Sequence, residues 1–122
     1  MISLNELDTT ATYASQLQED TGPVVLMNTF VAPEGRVDDV IAVWAEDAAY
    51  FRSQPGYISA QLHRGIGGSR VLVNIAVWEG AAHLRAAFVN PEFQRHMDRY
   101  PDGTVATPHV LRKVAVDGIC VE

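Results

Sequence analysis

Two asparagines occupy the interiors of two apolar runs, a setting in which strands disfavour them. Asn28 lies within residues 24–31, VVLMNTFV, and Asn74 within residues 70–78, RVLVNIAVW. A buried amide without partners is costly, so each must be satisfied by the protein or face a cavity where water or ligand supplies the bonds. Taken alone, a satisfied core amide is the simpler account; two on neighbouring strands favour a pocket. Trp78 closes the second run, its indole N–H needing a single acceptor, and Glu79 follows it. His63 sits on the preceding segment, with parity that leaves either a solvated strand edge or the pocket open to it.

Other chemistries find less support. The glycines of Gly65-x-Gly67-Gly68 join strand to strand, with no Gly-Lys-Ser/Thr opening a helix, so they read as a hairpin turn and not as a phosphate loop. His63, His83, His96 and His109 match no zinc spacing, and the single Cys120 completes none. No metal site is expected. There is no Gly-x-Ser-x-Gly elbow, and His96 reads as a surface or partly buried residue.

The chain of 122 residues, 48% hydrophobic, suits one domain with a real core. Nine basic residues stand against 15 acidic ones, net −6, which argues against nucleic acid or an anionic membrane as the main partner. One cysteine, no basic-then-apolar leader and no apolar stretch of membrane-spanning length lead to the expectation of a cytoplasmic protein.

These residues must be positioned by a succession of elements. Residues 1–23 read as an N-terminal extension and linker, with Ser3-x-x-Glu6 as a capping box before a weak amphipathic stretch through Leu4, Leu7, Ala11, Ala14 and Leu17. The extension packs on the domain or on a partner copy, and residues 19–23 form its linker. Residues 24–122 read as the main domain. A strand at 24–32 leads to a helix at 36–53, in which Val37, Val40, Ile41, Trp44, Ala48 and Phe51 recur at helical spacing. Strands at 57–64 and 70–78 form a hairpin; a short helix at 80–89 is followed by another, with Asn90 as N-cap and Pro91 at its first position. A fourth strand is expected at 108–117.

The order β-α-β-β-α-β is that of the ferredoxin-like α+β fold, an antiparallel sheet with helices on one face and its first and third strands central. Strand parity then puts Leu26, Asn28 and Phe30 on one face with Leu72, Asn74, Ala76 and Trp78. Val71, Val73, Ile75 and Val77 take the other face, whose simplest cover is the sheet of a second copy, giving a homodimer.

The run at residues 71–79, VLVNIAVWE, together with Gln54-Pro55-Gly56-Tyr57 and His63, resembles the antibiotic biosynthesis monooxygenase family, over about residues 24–117. Within it the likeness is to small cofactor-independent anthrone oxygenases of aromatic polyketide pathways. The resemblance implies a dimeric α/β-barrel and the oxidation of a polycyclic aromatic anthrone or phenol to a quinone by O2 as co-substrate, without flavin or metal. It also implies Asn28, Asn74 and Trp78 as catalytic residues, the amides as donors to a developing oxyanion and the indole as donor to substrate or peroxide. His63 matches a second-strand histidine of some members; Phe30, Leu72, Phe88 and Arg95 are further candidate substrate contacts. A tyrosine that some relatives carry falls near Leu84. A haem-degrading branch of the same fold would need a tryptophan where this chain has Ala87-Phe88 and a histidine near His96. A non-catalytic small-molecule-binding dimer is the third reading.

Overall fold

The computed structural model describes residues 2–19 and 21–122; Met1, and Asp20 of the expected linker, lie outside the described residues. The main elements fall where hydrophobic patterning puts them: β2 (Val24–Val31), α2 (Val37–Arg52), β3 (Tyr57–Arg64), β4 (Val71–Trp78), α3 (Ala81–Val89), α4 (Pro91–His96) and β5 (Val105–Leu111). Before them come a two-residue strand β1 (Ser3–Leu4) and one helical turn α1 (Tyr13–Gln16). The five strands form one open sheet in the order β1-β5-β2-β4-β3, antiparallel except for the β1–β5 pair. This is the ferredoxin-like α+β arrangement, and β2 and β4 are its central neighbours.

Local chemistry sets the boundaries. Asn90 caps α4 by accepting from the Glu92 N–H at 2.9 Å, with Pro91 in the first turn where its missing N–H costs nothing. Asp38 and Asp39 open α2 and Arg52 closes it, each suiting the helix dipole. Gly56 then turns the chain with φ of +84°, and a Cβ there would stand 2.2 Å from the His83 side chain, so only glycine fits between α2 and β3.

Two expectations are corrected. The N-terminal segment is not an amphipathic helix begun at Ser3: Ser3 and Leu4 pair in parallel with Val105 and Ala106. The helical turn starts later, with Thr12 as N-cap and Glu6 accepting from the Tyr13 N–H at 2.9 Å, after Asp8 has drawn Thr10 into a tight local turn. The last strand runs Val105–Leu111 and not 108–117. It starts early because its ladder with β2 extends to the end of that strand, Val31 opposite Val105. Beyond it residues 112–122 are exposed, and Val116 and Cys120 make only a local bridge. Pro108 is accommodated inside β5 because Ala106 and Val110 bond outward, away from β2, so the N–H that proline lacks at the same parity would have faced the edge.

That edge is covered by the N-terminal segment. Ser3 and Asn5 donate to the Thr104 and Ala106 carbonyls, and the Gln16 amide donates to the Val110 carbonyl and accepts from its N–H, both at 2.9 Å, as a neighbouring strand would. Tyr13 and Leu17 bury themselves beside Trp78 and Leu84. Gln16→Ala is expected to lower stability by about 1–3 kcal/mol, the cost of stranding a part-buried backbone pair, and to speed hydrogen exchange at the Val110 amide, measured by urea titration and NMR.

Candidate functional site

The register of the two central strands pairs Asn28 directly with Asn74. Both point to the helix side, and with Trp78 they line one cavity between sheet and helices of about 70 Å³. Leu26 and Phe30 of β2, Ala76 of β4, Tyr57 and Ala60 of β3 and Ala106 and Pro108 of β5 complete the sheet wall. Opposite stand Trp44, Asp47, Ala48 and Phe51 of α2, Leu84 and Phe88 of α3, and Phe93, Met97 and Tyr100; Ile2, Leu4 and Tyr13 of the N-terminal segment complete the lining. The lining is nearly all apolar. Its ring faces interlock: Trp78 meets Phe51 and Tyr57 edge-to-face at 5.8 and 5.6 Å.

Against that lining the polar atoms stand out. Asn28 Oδ1, Asn74 Oδ1 and Trp78 Nε1 are buried without a hydrogen-bond partner, three of five such side-chain atoms among the described residues. The amides are therefore not satisfied by one another or by backbone. An amide turned about its last bond offers NH2 in place of O, so the pair can meet either a phenol or a phenolate, and the indole adds a fixed donor beside them.

Of the other sequence candidates, Phe30 and Phe88 line the cavity, whereas Leu72 is fully buried beneath the same face without reaching its wall. His63 is not in the cavity: it is exposed on β3, with Nδ1 3.2 Å from the Val73 carbonyl. The reason is an irregularity in register between Tyr57 and Ser59, which turns Ala60 and Leu62 to the helix side and sends His63 outward with Gln61. Arg95 is exposed on α4 and does not reach the cavity. His96, which the haem reading would use, is engaged by Asp47. No cluster of His, Cys, Asp or Glu able to hold a metal occurs among the described residues.

Asp47 and Tyr100 are polar wall residues that sequence reasoning passed over. Asp47 accepts from the Tyr100 hydroxyl at 2.5 Å and pairs with His96 Nδ1 at 3.1 Å. Burial pushes its carboxyl above the ordinary carboxylate range, against the opposing pull of both hydrogen bonds. The Tyr100 hydroxyl is pushed far up, by burial first and then by Asp47. A signal was present in the sequence: Val37, Val40, Trp44, Asp47 and Phe51 recur at intervals of three and four, so the carboxylate stands inside the apolar stripe of α2.

Comparison with known proteins agrees with this fold. The profile of the antibiotic biosynthesis monooxygenase family matches residues 23–99, and the chain belongs to that family. It is 38% identical over 76 residues to a tetracenomycin-F1 monooxygenase of Streptomyces glaucescens, covering 60% of this chain and 65% of the relative. It is 34% identical over 77 residues to a deoxynogalonate monooxygenase of Streptomyces nogalater, covering 63% and 64%. The chain thus spans slightly less than two thirds of the length of these relatives. Among solved structures it is similar to SnoaB, described as a cofactor-independent oxygenase from Streptomyces nogalater, with a TM-score of 0.72 and 26% identity over 80% of this chain and 99% of that one.

A raised carboxyl pKa has a signed consequence for stability. Above the ordinary carboxylate value the folded state binds Asp47's proton more tightly than the unfolded chain, so stability falls as pH climbs through the raised pKa. The urea midpoint of the wild type, relative to that of Asp47→Asn, is expected to drop across this window; a flat or rising difference would contradict the assignment.

Proposed function

We propose that this protein is a cofactor-independent monooxygenase that oxidises a polycyclic aromatic anthrone or phenol of polyketide type to a quinone with O2. The observation that carries the reading is the orphaned trio of Asn28, Asn74 and Trp78 on one wall of an otherwise apolar cavity. Support comes also from the names of the two Streptomyces monooxygenases and from the description of the SnoaB structure.

The chemistry follows from the substrate being its own reductant. An anthrone methylene flanked by two aromatic rings loses a proton to give an electron-rich enolate. That anion passes two electrons to O2 and traps it as a carbon-bound peroxide. Loss of the second hydrogen as a proton with cleavage of the O–O bond leaves the carbonyl and one water, so CH2 plus O2 becomes C=O plus H2O. Asn28 and Asn74 stabilise the enolate oxygen in a water-poor site, where fixed donors act most strongly. Trp78 donates to the oxygen that develops charge, while its ring and those of Phe30 and Phe88 hold the substrate plane.

Oxygen uptake with dithranol and metal-stripped protein tests this reading. Asn74→Ala is expected to lower turnover by about two to three orders of magnitude, the effect of losing one oxyanion donor, with little change in urea midpoint because no protein partner is stranded. Trp78→Phe keeps the aromatic body and should likewise lose turnover before stability. Activity that vanishes on metal removal, or both variants at wild-type rate, would contradict it.

The same reading includes a homodimer closed through the outer face of the sheet. Val71, Val73, Ile75 and Val77 are only half-buried there, side by side with Val25, Met27 and Val31. Sedimentation at micromolar concentration is expected to show a dimer; a stable monomer would count against it.

A further inference from the structure

Asp47 is the one carboxylate on the cavity wall among the described residues, and it faces the cavity from the helix layer while Asn28, Asn74 and Trp78 face it from the sheet. A substrate lying between the layers therefore has amide and indole donors on one side and a carboxylate on the other. Its three tyrosine neighbours on the wall are Tyr13, Tyr57 and Tyr100, of which Tyr13 and Tyr100 are kept protonated by burial. They are donors at neutral pH, not bases. Asp47 is held in place at both oxygens, by His96 from α4 and by Tyr100 from the segment after it. With side-chain exposures of 6% for Asp47 and 16% for His96, water competes little for the carboxylate.

We propose that Asp47 is the catalytic acid and base of this pocket, the group that takes the substrate's proton and later returns it. The proposal rests on the oxygenase reading for the identity of the substrate. In the first step the C–H bond of the acidic carbon breaks, its electron pair stays in the ring system as the enolate, and the proton goes to Asp47. After O2 has taken two electrons and bonded to that carbon, Asp47 returns the proton to the peroxide oxygen. Asp47 then removes the second hydrogen as a proton while the O–O bond cleaves, forming the carbonyl and a hydroxide. Its last transfer makes that hydroxide water, so the carboxylate ends as it began and no proton need cross the closed wall.

His96 and Tyr100 are positioning residues in this scheme: their N–H and O–H fix the carboxylate and leave one lone pair of each oxygen for the substrate. A carboxyl raised by burial is a better match to a weakly acidic carbon than an ordinary one. The charged or titratable groups facing it are His96, Tyr100 and, on its own helix, Glu46, whose carboxylate is paired outward with Arg99.

The experiment is anaerobic exchange of the dithranol methylene hydrogens into D2O, followed by NMR for wild type and Asp47→Asn across a range of pD, with oxygen uptake measured in parallel. Wild type is expected to accelerate exchange, with a rate that falls toward acid as the carboxylate is protonated. Asp47→Asn, folded by its thermal midpoint and still binding a hydroxyanthraquinone, is expected to be slower by about 10²–10⁴-fold and to lack the acid limb. A purely structural Asp47 would not produce that limb. Exchange in Asp47→Asn at the wild-type rate overturns the proposal, as does a wild type whose exchange is unaccelerated or does not fall toward acid; the wild-type measurements decide even if the variant does not fold. Wild-type exchange without oxygen uptake would keep Asp47 as the base and overturn the oxygenase reading, whereas uptake with an unimpaired Asp47→Asn would do the reverse.

Discussion

The pairing of Asn28 with Asn74 across the two central strands is the constraint on which the rest of the structure turns. A one-residue slip between β2 and β4 would send one amide to the outer face and replace it with Met27 or Thr29. In the observed register both amides point inward, and neither side-chain oxygen finds a partner in the protein. Such atoms are tolerated only where something else can meet them, and a fully packed core there would leave a penalty of about 1–3 kcal/mol for each. The cavity, the buried indole on the same wall and the aromatic lining are what surround these two amides.

The cavity of about 70 Å³ is small for its proposed occupant. An apolar cavity of about 150 Å³ is the size that admits a benzene, so a polycyclic ligand requires part of the wall to move. The centre of the sheet wall is held by the unbroken β2–β4 and β2–β5 ladders, and α2 is anchored by its apolar stripe. β1 is different: two residues long, it contributes Leu4 to the wall beside Ile2 and is tied by the backbone bonds of Ser3 and Asn5. Tyr13 and Leu17 secure the same segment further along, so displacement of Ile2 and Leu4 does not require its release as a whole.

Much of this was legible because hydrophobic periodicity, strand parity and cap residues are local properties. The central strands, α2, the glycine hairpin and the Asn90-Pro91 start of α4 all follow from patterns within a few residues, and parity alone brought Asn28, Asn74 and Trp78 to one face. The misplaced features depend on distant partners. Ser3 and Leu4 are a strand only because β5 offers an edge, and β5 begins at Val105 because its distant partner Val31 ends β2 there. His63 shares parity with Tyr57 in the sequence but not its face, because a break of register near Tyr57 reverses the parity that counting by twos assumes. Asp47 is illegible at this level because a charged residue in an apolar stripe has no local partner: His96 and Tyr100 lie some fifty residues away.

If the orphaned trio is the ligand-facing wall, its hydrogens must report the ligand directly. The measurement is a titration with a hydroxyanthraquinone followed by nitrogen–proton NMR of the Trp78 indole and the Asn28 and Asn74 side-chain amides. The account predicts that all three signals move together and saturate at one affinity, with the indole proton shifting in the direction of a newly formed hydrogen bond. Saturable binding that leaves these three signals in place would contradict it.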